Sequence, residues 1–492
     1  MKSSSLLAIF AHLPQWMAPA KSFTRSSFAV RQRAAQNQNS LTISKANPRD
    51  DLPKVAIIGG GIAGLSCAAQ LAKSGKVRPT VFDTGRLRPG GRCSSRLPGD
   101  VLKQGSNSDS ILQSCVVDHA AQMIKVSAED KGPFSEKMKD WEQRGIVRQY
   151  PIGSICEVLN SNNEPFGLVA LNEDQRTTFY YGSNGMGEIP RAIAEDTSFE
   201  IQQDVWVSPS NGVQYLGNKD GIGRPQWRLK AKGQTLGTFD RLVIAHNGKC
   251  ADRLMSQTPA KDLHSLLQVN FAPTVPAWGG KKMTLNSIYS LIFAVRKDSS
   301  NFGKIIPKNA ISLFIKNEPT LGLLSCNTRK YPTRQESPYE IWTLLSSPKY
   351  AKANKGPQEN LPQELVERVT HDMLAAVERA FGVDEGSISS TVIESRLQLW
   401  GAAVPINTWS GGSPGFLYDG TFGVGACGDW LLQPSIEGAW ESGRRLANWI
   451  LKEKVNLGED STVGLPSQGG KFERVKTANG IASFENKERA TA

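Results

Sequence analysis

Three glycines and one acidic residue carry the clearest chemistry in this sequence. Gly59, Gly61 and Gly64 follow the apolar run 55–58 at the spacing G-x-G-x-x-G. Asp83 closes the next apolar run. At this spacing the first glycine allows a tight turn, the second lets the backbone approach a pyrophosphate, and the third lets helix and strand pack closely. Helix N-terminal amides attract phosphate, and an acid placed like Asp83 can bind a ribose diol. The pattern predicts a dinucleotide site.

The loop after Asp83 adds two glycines and a cation suited to phosphate. Residues 88–92 read Arg-Pro-Gly-Gly-Arg. Gly91 lets the backbone press against a cofactor, and Arg92 can neutralise a diphosphate with its forked guanidinium. A surface loop with solvated charges is the alternative. The position directly after an acid-terminated second strand favours the phosphate interpretation.

A second acid stands near the far end of the chain. Residues 423–429 are typical of a buried strand that ends in Asp429, and a helix is predicted over 436–451. Asp429 is placed to accept hydrogen bonds from a polyol chain, and the helix N-terminus could stabilise negative charge on a reduced flavin ring. An ordinary capping acid is the alternative. Motifs at both ends of the chain favour FAD over NAD and predict a discontinuous cofactor domain.

Hydrophobic periodicity predicts the elements that must position these residues. A further helix is predicted over 365–381, and the polar composition from 453 onward predicts a disordered tail. Strands are predicted at 55–58, 81–82, 205–207, 227–230 and 239–245.

Charge is concentrated at the N-terminus. The 492 residues carry a net charge of +12, of which residues 1–49 supply seven cations and no acid, so that 12 − 7 leaves +5 for the rest. That remainder disfavours a nucleic-acid partner. Residues 1–50 are predicted to be a chloroplast transit peptide, with a mitochondrial peptide as the alternative. Lys2 and the run 6–13 also resemble a secretory or bipartite signal, but no apolar run is long enough for a transmembrane segment.

The seven cysteines are scattered and form no C-x-x-C motif, so no metal site or redox pair is predicted. Cys67 and Cys427 lie inside the cofactor motifs. We interpret both as packing residues.

The motifs together resemble the FAD-dependent amine oxidase superfamily. The resemblance rests on the glycines at 59–64, Asp83, the arginine–glycine loop at 88–92 and the block from Gly428 to Gly443. Four segments are similar to renalase-like members in particular: 90–96, 117–122, 181–186 and 399–405. The resemblance implies an α/β fold with a discontinuous Rossmann-like FAD-binding domain and an inserted α+β substrate domain.

The same resemblance implies roles for individual residues. The ADP part of FAD would be held by Gly59, Gly61, Gly64, Asp83, Gly91 and Arg92. The backbone of Val205 would meet the adenine, Asp429 would contact the ribityl chain or pyrophosphate, and Ala439 would lie at the flavin-side helix start. Two positions depart from the family pattern. Asp83 replaces the usual Glu, and the segment 118–121 carries His119 where Gly is usual, which could place an imidazole near the flavin.

The expected domain parts alternate along the chain. They are a transit peptide at 1–50, FAD-binding parts at 51–125, 183–260 and 396–452, substrate-domain parts at 126–182 and 261–395, and a disordered tail at 453–492.

The implied activity is hydride transfer from a small amine or a reduced nicotinamide species to the flavin and then to molecular oxygen. Such chemistry needs no protein nucleophile. His119, His246 and Trp400 are catalytic candidates, with satisfied loop histidines and a core aromatic as the alternatives. A non-catalytic flavin-binding scaffold or redox sensor is a second hypothesis. A third is a carotenoid desaturase or protoporphyrinogen-oxidase-like enzyme, which residues 260–395 are not apolar enough to favour.

Overall fold

The first glycine motif joins two neighbouring parallel strands in this computed structural model. Strand Lys54–Ile58 leads into the turn, and strand Arg78–Phe82 pairs with it in parallel register. Helix Ile62–Lys73 connects them, as the motif predicts. The described residues belong to one compact unit within Asp51–Ala492. The structure describes residues 52–100, 110–161, 164–173, 176–219, 224–298, 302–316, 318–333, 337–410, 414–452 and 461–475.

These two strands belong to a six-stranded sheet drawn from distant parts of the sequence. All neighbouring strands run parallel except the last pair, which is antiparallel. In spatial order the strands are Glu200–Gln202, Arg78–Phe82, Lys54–Ile58, Arg241–Ile244, Val424–Ala426 and Leu417–Asp419. The carboxyl ends of the parallel strands therefore meet along one edge, where open α/β sheets bind their ligands.

A seven-stranded sheet forms the second large layer. Its strands pair antiparallel, except for one parallel pair between Ser312–Ile315 and Ile155–Ser161. In spatial order they are Val392–Trp400, Ile288–Arg296, Tyr339–Ser346, Leu321–Cys326, Ser312–Ile315, Ile155–Ser161 and Glu164–Ala170.

Five small sheets complete the strands of the described chain. Two have three antiparallel strands: Val213–Lys219, Arg224–Ala231 and Gln234–Phe239; and Ile124–Ser127, Thr177–Gly182 and Val147–Gln149. Three are strand pairs: Val269–Phe271 with Met283–Leu285, Asn407–Ser410 with Lys471–Arg474, and Ser95–Arg96 with Val117–Asp118.

Ten α-helices pack around these sheets in the described residues: α1 (Ile62–Lys73), α2 (Pro133–Gln143), α3 (Glu188–Glu195), α4 (Lys249–Ser256), α5 (Lys261–Leu267), α6 (Phe302–Ile305), α7 (Asn327–Lys330), α8 (Pro348–Ala353), α9 (Gln363–Phe381) and α10 (Ile436–Lys452). Short 3₁₀ turns lie at Gly91–Cys93, Ile111–Gln113, Ser389–Thr391, Asp429–Leu431 and Pro466–Gln468. None of the described helices is long and apolar enough to cross a membrane.

Helix α10 packs directly onto α1 because small residues remove side chains from the contact. A Cβ built on Gly443 of α10 would lie 2.0 Å from the backbone oxygen of Ala63 in α1. The hydroxyl of Ser66 donates to the carbonyl of Trp440 at 2.7 Å. The two motif-bearing ends of the chain are therefore joined by backbone approach, and the predicted helices at both sites are confirmed.

Two strand predictions need correction. Residues 205–207 do not form a strand, because Asp204 has a φ of 55° that breaks the extended backbone. The neighbouring strand is Glu200–Gln202 instead. The run 239–245 is two strands in different sheets, since the Asp240 carboxylate accepts a hydrogen bond from the Lys54 amide at 2.7 Å at the break.

The predicted disordered tail is wrong for residues 461–475. Strand Lys471–Arg474 pairs with Asn407–Ser410, and the rings of Phe472 and Trp409 lie 5.1 Å apart. Phe472 and Leu465 are buried, and burial of these apolar side chains anchors an otherwise polar segment. The rest of the predicted tail, like the predicted transit peptide at 1–50, lies outside the described residues.

Six of the seven cysteines are buried, and Cys250 is exposed. Cys67 and Cys427 are fully buried, as the packing interpretation requires. Their thiols also hydrogen-bond each other, which together with burial raises the pKa of Cys67. All seven thiols are free.

The strands of the six-stranded sheet come from all three predicted FAD-binding parts. Those of the seven-stranded sheet come mainly from the two predicted substrate-domain parts. Strand Val392–Trp400 runs across the expected boundary at 395/396. The boundaries themselves stay predictions.

We expect Gly443→Ala to lower the free energy of unfolding by about 1–3 kcal/mol, because the new methyl group would overlap the α1 backbone. Urea denaturation monitored by circular dichroism measures this change. Gly167→Ala is the matched control, since a Cβ there meets nothing within 4 Å. Equal stability of the two variants would contradict the close α1–α10 contact.

Candidate cofactor and active site

The glycine turn is built by backbone groups that leave no room for side chains. The amide of Gly59 donates to the carbonyl of Phe82 at 2.9 Å. Gly59 has a φ of 117°, which favours glycine, and a Cβ on Gly64 would lie 2.0 Å from the Gly59 carbonyl oxygen. The third glycine therefore lets α1 pack against the turn, as its spacing predicts.

Asp83 closes the second strand beside the same turn. One of its carboxylate oxygens accepts a hydrogen bond from the Gly60 amide at 3.3 Å, and burial raises the pKa of Asp83. A Cβ on Gly60 would lie 2.6 Å from the Asp83 Cγ, so the middle glycine is required as well. Gly60 is not among the predicted site residues, although the unbroken run of three glycines was the available signal. The Val205 amide donates to the Asp83 carbonyl at 2.9 Å, which places Val205 beside this acid.

The two glycine loops meet and leave an open cradle of backbone. The Gly90 amide donates to the Gly60 carbonyl at 2.8 Å. A Cβ on Gly61 would meet nothing within 4 Å, and one on Gly91 would meet only the Cα of Gly61, at 3.7 Å. Both glycines therefore border space at the N-terminus of α1, where the helix dipole and free amides favour a phosphate group. The cradle fits the pyrophosphate of a dinucleotide.

Arg92 and Asp429 lie 337 residues apart in sequence and pair with each other. Both guanidinium NH₂ groups donate to the Asp429 carboxylate at 2.8 Å, and one also donates to the Ala403 carbonyl at 2.8 Å. Asp429 is buried, whereas the Arg92 side chain is 36% exposed. The pair ties the Gly90–Arg92 loop to the carboxyl end of strand Val424–Ala426, and it leaves Arg92 partly open toward solvent. Arg92 and Asp429 are each predicted from the sequence to contact the cofactor. Their pairing with each other was not predicted.

Ala439 lies in the first turn of α10. It is half-buried and packs against apolar clusters on both sides of the helix. The start of α10 therefore faces α1, and the predicted flavin-side position of Ala439 stays a prediction.

His119 and Trp400 form one stacked unit. Their ring centroids lie 5.6 Å apart with an interplanar angle of 4°, and Trp400 Nε1 donates to the His119 carbonyl at 3.0 Å. His119 Nε2 lies 3.3 Å from the Ser94 hydroxyl, while the buried Nδ1 has no partner. Burial, aided by the positive charge of Arg96, lowers the pKa of His119 to about 3. The imidazole is therefore neutral at physiological pH.

The loop that carries His119 is hydrogen-bonded to the Gly90–Arg92 loop. The amide of Ala121 donates to the carbonyl of Arg92 at 3.0 Å. His246, the other histidine candidate, follows strand Arg241–Ile244, and its backbone nitrogen would lie 3.2 Å from a Cβ on Gly59. Burial lowers the pKa of His246 to about 4. The structure thus places His246 beside the glycine turn and places the His119–Trp400 pair beyond Arg92.

A buried ion pair that sequence analysis missed supports this region. Lys330 Nζ lies 2.8 Å from Asp118 Oδ2, and both side chains are fully buried. Asp118 also accepts hydrogen bonds from the hydroxyls of Ser95 and Tyr331, both at 2.5 Å, and from the Met186 amide at 2.8 Å. Although burial opposes the charge, Asp118 raises the pKa of Lys330. The network joins the His119 loop to the seven-stranded sheet.

No sequence signal reveals this network, because Lys330 is separated from Asp118 by more than 200 residues. A lysine in a short polar segment reads as a solvated side chain. Only the fold shows that it is fully buried.

A similar fold occurs in a putrescine oxidase of known structure. Residues 57–136 match the family described as an NAD(P)-binding Rossmann-like domain. A putrescine oxidase triple mutant from a structure-based redesign of cofactor binding is 12% identical, with a TM-score of 0.51 over 82% of this chain and 99% of its own. A tetracycline destructase is 12% identical, with a TM-score of 0.41 over 82% of this chain and 83% of its own.

The likeness to putrescine oxidase confirms the predicted fold, an α/β architecture with a Rossmann-like domain and further sheets. The family match spans the glycine turn, Asp83 and the 88–92 loop, the residues on which the prediction of a dinucleotide site depends.

We expect Lys330→Met to lower the free energy of unfolding by about 3–5 kcal/mol, because Asp118 is then left charged and buried without a cation. The double variant Lys330→Met/Asp118→Asn should recover part of this loss in urea denaturation. Arg144→Met, which breaks an exposed pair with Asp196, is the control and should cost at most about 1 kcal/mol. A Lys330 variant no less stable than this control would contradict the role of the buried pair.

We expect stability to fall as the pH is lowered from about 6.5 toward 3, in part because of His119. The folded protein protonates His119 only near pH 3, whereas the unfolded chain does so near its ordinary pKa of about 6.5. The unfolded state therefore binds the extra proton. Each such histidine makes the free energy of unfolding fall by about 1.4 kcal/mol for each pH unit in this range.

In His119→Gln, the free energy of unfolding measured by urea denaturation should fall less steeply between pH 6 and pH 4, by the contribution of one histidine. His371→Gln, at an exposed position, should keep the original slope. Identical slopes for the wild type and the His119 variant would contradict the neutral, buried imidazole.

Proposed function

We propose that this protein is an FAD-dependent oxidoreductase that transfers a hydride from a small-molecule donor to the flavin, with molecular oxygen as the final acceptor. The observation that carries the proposal is the open backbone cradle between Gly61 and Gly91, at the carboxyl edge of the parallel sheet. This is the place where open α/β sheets bind nucleotides. The donor class in this proposal is a small amine or a reduced nicotinamide species.

The residues around the cradle are suited to the parts of FAD. The α1 N-terminus and the Gly90–Arg92 loop offer amides and the guanidinium of Arg92, whose side chain is 36% exposed, to the pyrophosphate. Asp83 stands at the end of the second strand, where it can accept hydrogen bonds from the adenosine ribose. Asp429 holds Arg92 in place and lies toward the start of α10. When bound, the flavin supplies the hydride acceptor, which protein side chains cannot provide.

The residues near the cradle position the substrate and exclude water. They do not attack the substrate. The neutral His119 imidazole stacks on Trp400, and Ser94 lies within hydrogen-bonding distance of its Nε2. A neutral imidazole can donate or accept a hydrogen bond without adding charge. The buried Asp118–Lys330 pair fixes the loop that carries this imidazole, so the reacting face is built on a rigid support.

The acid-free N-terminus supports a chloroplast location in this proposal, with the mitochondrion as the alternative.

Gly61→Ala tests the cofactor site directly. Gly61 has a φ of −77°, which alanine adopts without strain, and its Cβ would meet no protein atom within 4 Å. We therefore expect an unchanged urea midpoint but at least about a tenfold loss of FAD affinity, because the methyl group occupies the space of the pyrophosphate. Fluorescence titration of the apoprotein with FAD measures the affinity.

Gly64→Ala is the matched control, since its Cβ would overlap the Gly59 carbonyl and should destabilise the fold itself. A Gly61 variant that binds FAD like the wild type would contradict the proposed site. Anaerobic mixing with donors then tests turnover. Bleaching of the flavin supports an oxidoreductase, whereas a flavin that no donor bleaches would indicate a scaffold or sensor.

A further inference from the structure

Two arginines from different sheets lie near the His119–Trp400 pair. Arg96 belongs to the strand pair Ser95–Arg96, and Arg396 lies in strand Val392–Trp400 of the seven-stranded sheet. The guanidinium of Arg96 donates to Gln398 Oε1 at 2.9 Å. Arg396, Gln398 and Trp400 alternate along their strand and therefore share one face. All three are half-buried, so this face borders solvent-accessible space.

The nearby carboxylates already have other partners. Asp100 is held by both NH₂ groups of Arg88 and by the Leu97 amide. Glu394 accepts from the Ser110 hydroxyl at 2.5 Å and from the Ile111 amide at 2.8 Å.

Asp118, another described acid near these arginines, pairs with Lys330. Among the residues that the structure describes, neither Arg96 nor Arg396 forms an ion pair. Asp100 and Glu394 act on the two guanidinium groups through space, but no carboxylate of the described residues is bound directly to either one.

These charges are also partly removed from water. Burial and the neighbouring charge of Arg396 lower the pKa of Arg96 to about 9, although Asp100 opposes the shift. Burial lowers the pKa of Arg396 as well, although the charge of Glu394 opposes the shift. Like charges in a desolvated site repel each other, and an oxyanion bound between them relieves that repulsion through charge-assisted hydrogen bonds.

The arginines stand next to an aromatic surface and next to the proposed cofactor site. Trp400 stacks on His119, whose loop is tied to Arg92 through the Ala121 amide. Arg92 in turn donates to the Ala403 carbonyl, three residues beyond Trp400. A ligand on this face would thus have its flat apolar part beside Trp400 and its anionic part beside the arginines.

We propose that Arg96 and Arg396 bind an oxyacid group of the substrate, so that the compound oxidised by this protein is an anion. The proposal rests on the proposed function, because the His119 loop beside this face is hydrogen-bonded to the Gly90–Arg92 loop of the cofactor cradle. It narrows the donor class to molecules that carry a carboxylate or a phosphate. It also disfavours simple di- and polyamines, since two guanidinium groups without a directly bound carboxylate repel a cationic substrate.

The test uses four probes with the same ring and different charge: benzoate, phenyl phosphate, benzamide and benzylamine. Calorimetric titration of the full-length, flavin-loaded protein should give a Kd for at least one oxyanion about tenfold or more below those of the neutral and cationic probes. The preferred oxyanion identifies the group as carboxylate or phosphate. Added salt should weaken binding of the oxyanion and leave benzamide binding unchanged. Tighter or equal binding of benzylamine would overturn the proposal.

Arginine variants assign the binding to this face. Arg96→Gln and Arg396→Gln should each raise the Kd of the preferred oxyanion about 10- to 100-fold, while Arg396→Lys should lose less because it keeps the charge. Arg191→Gln, in a surface pair with Glu195, is the matched control and should bind like the wild type. An unchanged Kd in both glutamine variants would overturn the proposal, as would loss of FAD from them, which would assign the arginines to the cofactor.

The outcomes separate this proposal from the proposed function. A protein that binds no FAD contradicts the proposed function, yet calorimetry on that apoprotein still measures whether the arginines select oxyanions. A flavoprotein without oxyanion selectivity contradicts only the anionic substrate. If a glutamine variant does not fold, the salt dependence and probe selectivity of the wild type decide the question.

Discussion

The packing of helix α1 between backbone groups is the constraint on which the rest of the structure depends. On one side, Gly64 lets the helix reach the carbonyl of Gly59, and on the other, Gly443 lets α10 reach the carbonyl of Ala63. No side chain can separate these surfaces without moving the helix. The N-terminus of α1 is therefore held beside the Gly90–Arg92 loop, and the cradle between the two glycine loops follows from that placement.

The charged side chains on the two sides of the His119 loop differ in burial and in their partners. Asp118 and Lys330 are fully buried, and hydrogen bonds from Ser95, Tyr331 and Met186 complete their partners. Arg96 and Arg396 are half-buried instead, and the Arg96 guanidinium donates to the neutral amide of Gln398 rather than to a carboxylate. A satisfied buried pair rigidifies a core, whereas a half-buried guanidinium with no carboxylate bound to it keeps donors available for a ligand. This contrast separates the support of the site from its binding surface.

The Rossmann-like part of the fold was predictable, because its glycine turn, its acids and its helices carry local signals. Glycine spacing, an acid after a strand and a periodic helix can all be recognised within short windows. The helices at 365–381 and 436–451 were found in the same way. Local patterns failed where the backbone changes direction on a single residue. Asp204 breaks the extended backbone directly before the predicted strand 205–207, and Asp240 divides the predicted strand 239–245. Phe472 anchors a segment whose composition indicated disorder.

The sequence by itself determined the class of fold and the glycine, acid and arginine positions of the cofactor motif, because strand, turn and helix preferences act between near neighbours. Only the tertiary structure decided which distant groups meet: Arg92 with Asp429, Lys330 with Asp118, and Arg96 with Gln398 beside Arg396. Those contacts join residues more than 200 positions apart. In the sequence, an isolated arginine or lysine looks the same whether its side chain is solvated, paired with an acid or able to bind a ligand. Burial and the positions of neighbouring charges distinguish the three cases, and both exist only in the folded chain.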